Sequence, residues 1–118
     1  MSKLQTSTSM KIQPGKLDEF KQVAAQMLSV TAARDTGTLQ YDWFLNSDQT
    51  ICVIREAYES SEALLAHMAH LDEALGKRPL RLLAYDHKAD VFGDPSPKLL
   101  TVTQGLSVER YSFLQGLE

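Results

Sequence analysis

An order of strand, helix, two strands, helix and strand predicts an α+β fold of the ferredoxin-like, split βαβ kind with an antiparallel sheet. Three observations in the 118 residues carry this reading: a hairpin over Thr38–Tyr58, an amphipathic helical stretch on either side of it, and a further strand near each end. The hairpin is the organising element. Thr38–Leu45 and Thr50–Tyr58 are rich in β-branched and aromatic residues, and Asn46-Ser47-Asp48-Gln49 between them suits a four-residue loop built on a type I turn. Alternation puts Leu39, Tyr41, Trp43 and Leu45 on one face and Gln40, Asp42, Phe44 and Asn46 on the other. On the second strand, Cys52, Ile54, Glu56 and Tyr58 oppose Ile51, Val53, Arg55 and Ala57. Both faces carry large apolar groups, so the sheet needs two covers. The chain's own helices supply one, and a second copy related by a two-fold axis is the expected source of the other.

Leu4–Ile12 alternates as a first strand, with Leu4, Thr6, Thr8, Met10 and Ile12 on one side, and Pro14-Gly15 ends it. From Lys16 to about Ala33, Leu17, Phe20, Ala24, Met27, Leu28 and Thr31 recur at spacings of three and four, which predicts a helix closed by Asp35-Thr36-Gly37. After the hairpin, Ser60 is placed to cap a second helix with Glu62 in its first turn, and Leu64, Met68, Leu71 and Leu75 form its apolar stripe. Gly76 and Pro79 interrupt that helix. Lys77, Arg78 and Arg81 at the break read as a solvated helix end. Tyr85–Phe92 predicts a fourth strand, ended by Gly93-Asp94-Pro95-Ser96-Pro97. A short helix over Ser96–Gln104 and an extended Val108–Leu114 are expected in the remainder. The whole chain is expected to be one domain, residues 4–93 as its core and residues 94–118 as a tail that packs on the barrel or reaches the partner.

A net charge of -3 and a pI near 5.6 argue against a nucleic-acid backbone as partner. No apolar run approaches the ~18 residues of a membrane span, and the opening MSKLQTSTSMK lacks the apolar stretch of a signal peptide, so a cytoplasmic location is expected. The single cysteine, Cys52, cannot form an internal disulfide and gives no support to a zinc site; it reads as a small buried hydrophobe.

Phosphate-binding glycine loops, H-E-x-x-H, paired cysteines and G-x-S-x-G are all missing from the sequence. The candidates for chemistry are therefore the histidines, the polar aromatics, Asn46 and Arg55. At 100° per residue His67 lies about 60° from Leu64, at the margin of the apolar stripe, whereas His70 is about 120° away and is expected to face water. His67 reads either as a structural histidine or as a general base tuned near neutrality. His87, which alternates with Tyr85 and Ala89, is a weaker candidate of the same kind. Tyr41, Trp43 and Tyr58 read as core or as the walls of a pocket for a flat aromatic ligand. Arg55 either pairs with a carboxylate across the sheet or holds an anionic oxygen of a ligand.

The order of QPGKLDEF, TLQYDWFLN, ICVIREAYES, SEALLAHM and VFGDPSPKL, from about residue 4 to residue 100, resembles the antibiotic biosynthesis monooxygenase family of dimeric α+β barrels, and the tail RYSFLQGL is similar too. The resemblance implies a homodimer with two ferredoxin-like sheets back to back and a pocket in each subunit between sheet and helices. It implies a cofactor-independent monooxygenase acting on a phenolic or quinol-type small molecule, with no cofactor, His67 as catalytic base, Tyr41, Trp43 and Tyr58 as pocket walls, and Asn46 and Arg55 as oxyanion donors. The haem-degrading branch uses an Asn on the first strand and a Trp about ten residues before its histidine. Here those places hold Ser7, Thr8 and Ser9, and Ala57 and Tyr58, so haem is not expected. The alternative functions are a non-catalytic dimeric barrel that binds a small apolar ligand and an isomerase-like activity on a small carbonyl compound.

Overall fold

The computed structural model describes residues 3–117 and contains β1 (Leu4–Ile12), α1 (Leu17–Arg34), β2 (Thr38–Leu45), β3 (Ile51–Tyr58), α2 (Ser61–Leu75), β4 (Ala84–Phe92), α3 (Pro97–Val102) and β5 (Val108–Tyr111). The strands form an open sheet in the order β2-β3-β1-β4-β5. The first four pair antiparallel in the split βαβ order that the sequence predicts, and β5 adds a parallel edge to β4. No helix among the described residues is long and apolar enough to cross a membrane.

The hairpin closes on its own side chains. Asn46 Oδ1 accepts from the backbone N–H groups of Thr50 and Ile51 at 2.9 and 2.8 Å, and Gln49 N–H donates to Asn46 O at 3.0 Å. That turn sets the register Trp43↔Ile54 and Tyr41↔Glu56, and an irregularity between Thr38 and Gln40 leaves Leu39 as the extra residue of a bulge.

Helices α1 and α2 pack on each other and cover one sheet face, where Met10, Ile12, Cys52 and Ile54 meet Phe20, Met27 and Leu71. On α1 the buried stripe runs through Phe20, Val23, Met27, Val30 and Thr31. Leu28, expected within it, is exposed because it lies about 80° round the helix from Phe20. Ser60 caps α2 as expected, accepting from Ala63 N–H at 3.1 Å, and Leu64, His67 and Leu71 are buried beneath it. A second cluster of Leu4, Tyr58, Leu64, Val91 and Leu99 lets α3 close one end of the sheet.

Among the described residues, no helix covers the opposite sheet face. Phe44 is 54 % exposed, and Phe92 and Tyr111 stack there with ring centroids 5.3 Å apart. Across its middle, register aligns Asp42, Arg55, Ser7 and Asp90 in one polar row. Beyond β5, Phe113, Leu114 and Leu117 are exposed as well.

One close approach fixes how β2 meets α2. A Cβ built on Gly37 would lie 2.7 Å from Ala63 Cβ, so only glycine permits this packing. Gly37 O also accepts from Glu59 N–H at 2.9 Å, pinning the start of β2 beside the end of β3. Gly37→Ala is expected to destabilise the fold by about 1–3 kcal/mol through overpacking, read as a lower urea midpoint with an unchanged slope. An unaltered midpoint would show that α2 can move aside freely.

Candidate functional site: a carboxylate shared by two histidines

Asp35 caps the C-terminus of α1, where its backbone N–H donates to Thr31 O at 3.0 Å. A carboxylate there opposes the helix dipole, so it needs donors of its own. Three are supplied. Thr38 Oγ1 donates to Oδ2 at 2.6 Å, His67 Nδ1 lies 2.7 Å from Oδ2, and His70 Nδ1 lies 2.7 Å from Oδ1. His67 and His70 are three residues apart, so both project from one face of α2 towards the same group. The side chains of His67 and Asp35 are 5 % and 4 % exposed, whereas that of His70 is 26 % exposed.

Burial alone would raise the Asp35 carboxyl, but the hydrogen bonds from Thr38, His70 and His67 outweigh it and hold the group below its ordinary value. An ionised carboxylate only accepts, so both Nδ1 atoms carry their protons towards it. In its neutral form His67 then carries its lone pair on Nε2, which has no hydrogen-bond partner among the described residues. That is the tautomer a general base requires.

Beneath His67 lies the inner face of the sheet. The rings of Tyr41 and Tyr58 approach it to 4.7 and 5.4 Å, and Trp43 stands edge-on to Tyr41 at 5.8 Å and to Phe20 at 6.0 Å. Glu56 is directly opposite Tyr41 on one neighbouring strand and Thr6 on the other. Its Oε1 is hydrogen-bonded to the Tyr58 hydroxyl, and Thr8 Oγ1 donates to Oε2 at 3.4 Å. Burial pushes the Glu56 carboxyl up, opposed in part by the Tyr58 hydroxyl. Burial and then the nearby Glu56 also push both phenols up, so Tyr41 and Tyr58 remain neutral donors. Trp43 Nε1 and Thr6 Oγ1 are buried without a partner of hydrogen-bonding geometry, though each lies near enough to Tyr41 and Glu56, respectively, to favour their ionised forms. Buried donors left open in this way mark where a polar ligand atom or water belongs.

A cleft of about 320 Å³ between the end of α1 and β2 is lined by Leu28, Ala32, Asp35, Thr38, Leu39 and Tyr41 among others, and meets the group through Asp35 and Tyr41. Its size suits a small ligand. A second cleft, of about 290 Å³, meets Asp35 from the side of Gly37 and Ala63.

Of the residues the sequence nominates, the structure brings together His67, Tyr41, Trp43 and Tyr58. Asn46 and Arg55, expected as oxyanion donors, lie apart from this group. Asn46 spends its side chain on the hairpin turn, donating also to Thr50 Oγ1 at 3.3 Å. Arg55 has outer parity and lies exposed opposite Asp42 and Ser7. His70, expected in water, is tied to Asp35. His87 sits on β4 beside the positive-φ residue Asp86, with burial lowering its pKa. Cys52 is buried, and burial pushes its thiol up to about 11, so it packs as a hydrophobe. No group of three or more His, Cys, Asp or Glu side chains is arranged to hold a metal among the described residues. Sequence reasoning missed Asp35 and Glu56. Glu56 was legible as the one acidic residue of inner parity on β3, whereas Asp35 read only as a helix stop.

These features define a class: a small ferredoxin-like domain with a carboxylate-pinned histidine over an aromatic sheet face. The signature of the antibiotic biosynthesis monooxygenase family matches residues 7–72, more than half of the chain, and the protein belongs to that family. Its fold is similar to that of MupZ from Pseudomonas fluorescens, at a TM-score of 0.78 and 20 % identity, over 100 % of this chain and 95 % of that one. Rv0793 from Mycobacterium tuberculosis superposes at a TM-score of 0.68 and 19 % identity, covering 80 % of this chain and 97 % of its own. SnoaB from Streptomyces nogalater, a cofactor-independent oxygenase, does so at 0.67 and 15 %, covering 81 % and 96 %. No curated protein matches the chain.

Asp35→Asn is expected to lower stability at neutral pH by about 1–3 kcal/mol, because two imidazoles lose a charged acceptor. The folded Asp35 pKa is depressed, so its contribution is present above the ordinary value of ~3.9 and fades as pH falls through the folded value. Urea unfolding of both proteins should show the gap closing as the pH drops below about 4. A gap that is the same at both ends of that range would mean that the charge of Asp35 contributes nothing.

Proposed function

We propose that this protein is a cofactor-independent monooxygenase that oxidises a phenolic or quinol-type small molecule with O2, working as a homodimer. The observation that carries the reading is His67, whose Nδ1 is held by Asp35 while its Nε2 stands free among Tyr41, Tyr58 and the inner sheet face. A hydroquinone or anthrone-type substrate holds the electrons that O2 requires once it has lost a proton. The protein then has to remove that proton, exclude water and support the developing oxyanion. His67 Nε2 takes the proton, and the imidazolium that forms is stabilised by the ionised Asp35. Donors for the oxygen that gains charge are at hand in the unpaired Trp43 N–H and the neutral Tyr41 hydroxyl. Membership of a family that includes cofactor-independent oxygenases supports the same reading.

The uncovered sheet face supports the homodimer, since Phe44, Phe92 and Tyr111 would gain a second apolar layer. Light scattering should give about twice the 13.2 kDa of one chain, and Phe44→Asp should shift the protein towards monomer by placing a charge within that layer. A wild-type mass of one chain would remove the dimer from the proposal.

The activity is tested by oxygen consumption of chelator-treated protein with a panel of hydroquinones, naphthols and anthrones against an autoxidation control. Uptake above autoxidation is expected, with His67→Ala lowering kcat by about 10²–10⁴-fold, the usual contribution of a general base. Saturable quenching of Trp43 fluorescence without uptake would point instead to a ligand-holding barrel. Proton exchange at carbon without uptake would point to an isomerase-like reaction on a carbonyl compound.

A further inference from the structure

Glu56 is a buried carboxyl for which the proton abstraction above has no use. It occupies the centre of the inner sheet face, with Tyr41 beside it on β2 and Thr6 beside it on β1. Its hydrogen bonds come from hydroxyl groups, those of Tyr58 and Thr8, and among the described residues no lysine or arginine forms an ion pair with it. A buried carboxylate with no lysine or arginine beside it is costly, so burial pushes the group towards its neutral form, opposed by the hydroxyl groups of Tyr58, Thr6 and Thr8 and by the nearby His67 ring. Burial drives Glu56 towards its protonated form while three donors hold Asp35 ionised. Two carboxyls pushed in opposite directions within one site divide the roles of acid and base support between them. Tyr58 joins the two halves, with its hydroxyl on Glu56 and its ring 5.4 Å from that of His67.

We propose that Glu56 is the proton donor of the site, working against the His67 base, and that the ligand presents an acceptor oxygen to it. In this form the inference rests on the oxygenase reading and is written for the anthrone-type substrate named there, which carries an oxidisable CH₂ next to its phenolic system. For such a CH₂ group the step balances. His67 takes one proton, the carbanion bonds to O2, and Glu56 protonates the peroxide anion. The Glu56 carboxylate then removes the remaining proton of that carbon as the O–O bond breaks and C=O forms, and the departing hydroxide takes the proton from His67 as water. The carbon loses four electrons, O2 gains four, and both side chains return to their starting states.

The test is infrared spectroscopy of the intact protein, unlabelled and ¹³C-glutamate-labelled, as wild type and Glu56→Gln, with and without anthraquinone. That probe carries acceptor oxygens and has no proton to give. Expected at neutral pH is a carbonyl band of a neutral carboxylic acid that moves with the label, is missing from Glu56→Gln, and shifts to lower frequency when anthraquinone binds. The labelled wild type answers the question even if the variant does not fold. A spectrum without such a band, or a band that anthraquinone leaves in place, overturns the proposal. Oxygen uptake with anthrone separates it from its parent reading, with about a 100-fold loss expected in Glu56→Gln. Full uptake by that variant removes the donor and leaves the oxygenase. A shifted band in a protein that consumes no oxygen removes the oxygenase and leaves the donor.

Discussion

Asp35 places a negative charge at the negative end of a helix, in a position with almost no contact with water. Such a group persists only because α2 brings two imidazoles and β2 a hydroxyl to it, each within 2.7 Å. The same bonds tie the end of α1, the start of β2 and the middle of α2 into one rigid junction. The orientation of the His67 ring is therefore a by-product of solving an electrostatic problem of folding. Gly37 lies beside this junction, where the chain passes close to Ala63 just before β2.

The sheet divides the chain's polar groups between two tasks. Its inner face holds Thr6, Thr8, Tyr41, Trp43, Glu56 and Tyr58 under the helices, where low polarity strengthens each hydrogen bond and raises the cost of each one left unmade. Its outer face sets charged residues in register between apolar ones, with Asp42 facing Arg55 in a row flanked by Phe44 and Phe92. In the proposed dimer such a mixture would favour one orientation of the two copies, because a misaligned pairing would set like charges or charged and apolar groups against each other.

Most of the fold was legible because strand parity and helix spacing are local. The hairpin turn, the Ser60 cap and the inner parity of Tyr41, Trp43 and Tyr58 all follow from neighbours in sequence. The expectations that missed concern groups whose meaning depends on distant residues. Asp35 is 32 residues from His67 and 35 from His70, and nothing local separates a buried acceptor from an ordinary helix stop. His70 looked solvent-facing because helical angle measures direction from the stripe and takes no account of a carboxylate arriving from another element. Arg55 and Asn46 were nominated for chemical type, yet the parity of one and the turn position of the other already spoke for different work. The sheet's fifth strand was seen only as an extended segment, since its partner is β4 and no local pattern announces a parallel edge.

The doorway to the site and its electrostatic anchor share one short stretch of chain. Asp35, Thr38, Leu39 and Tyr41 all border the cleft of α1 and β2, and two of the four hold the charge network together. That side could not be reshaped without disturbing the hold on the His67 ring. Leu28 and Ala32, on the helical wall and outside that network, are positions where the cleft could change shape while the bonds to Asp35 stay as they are.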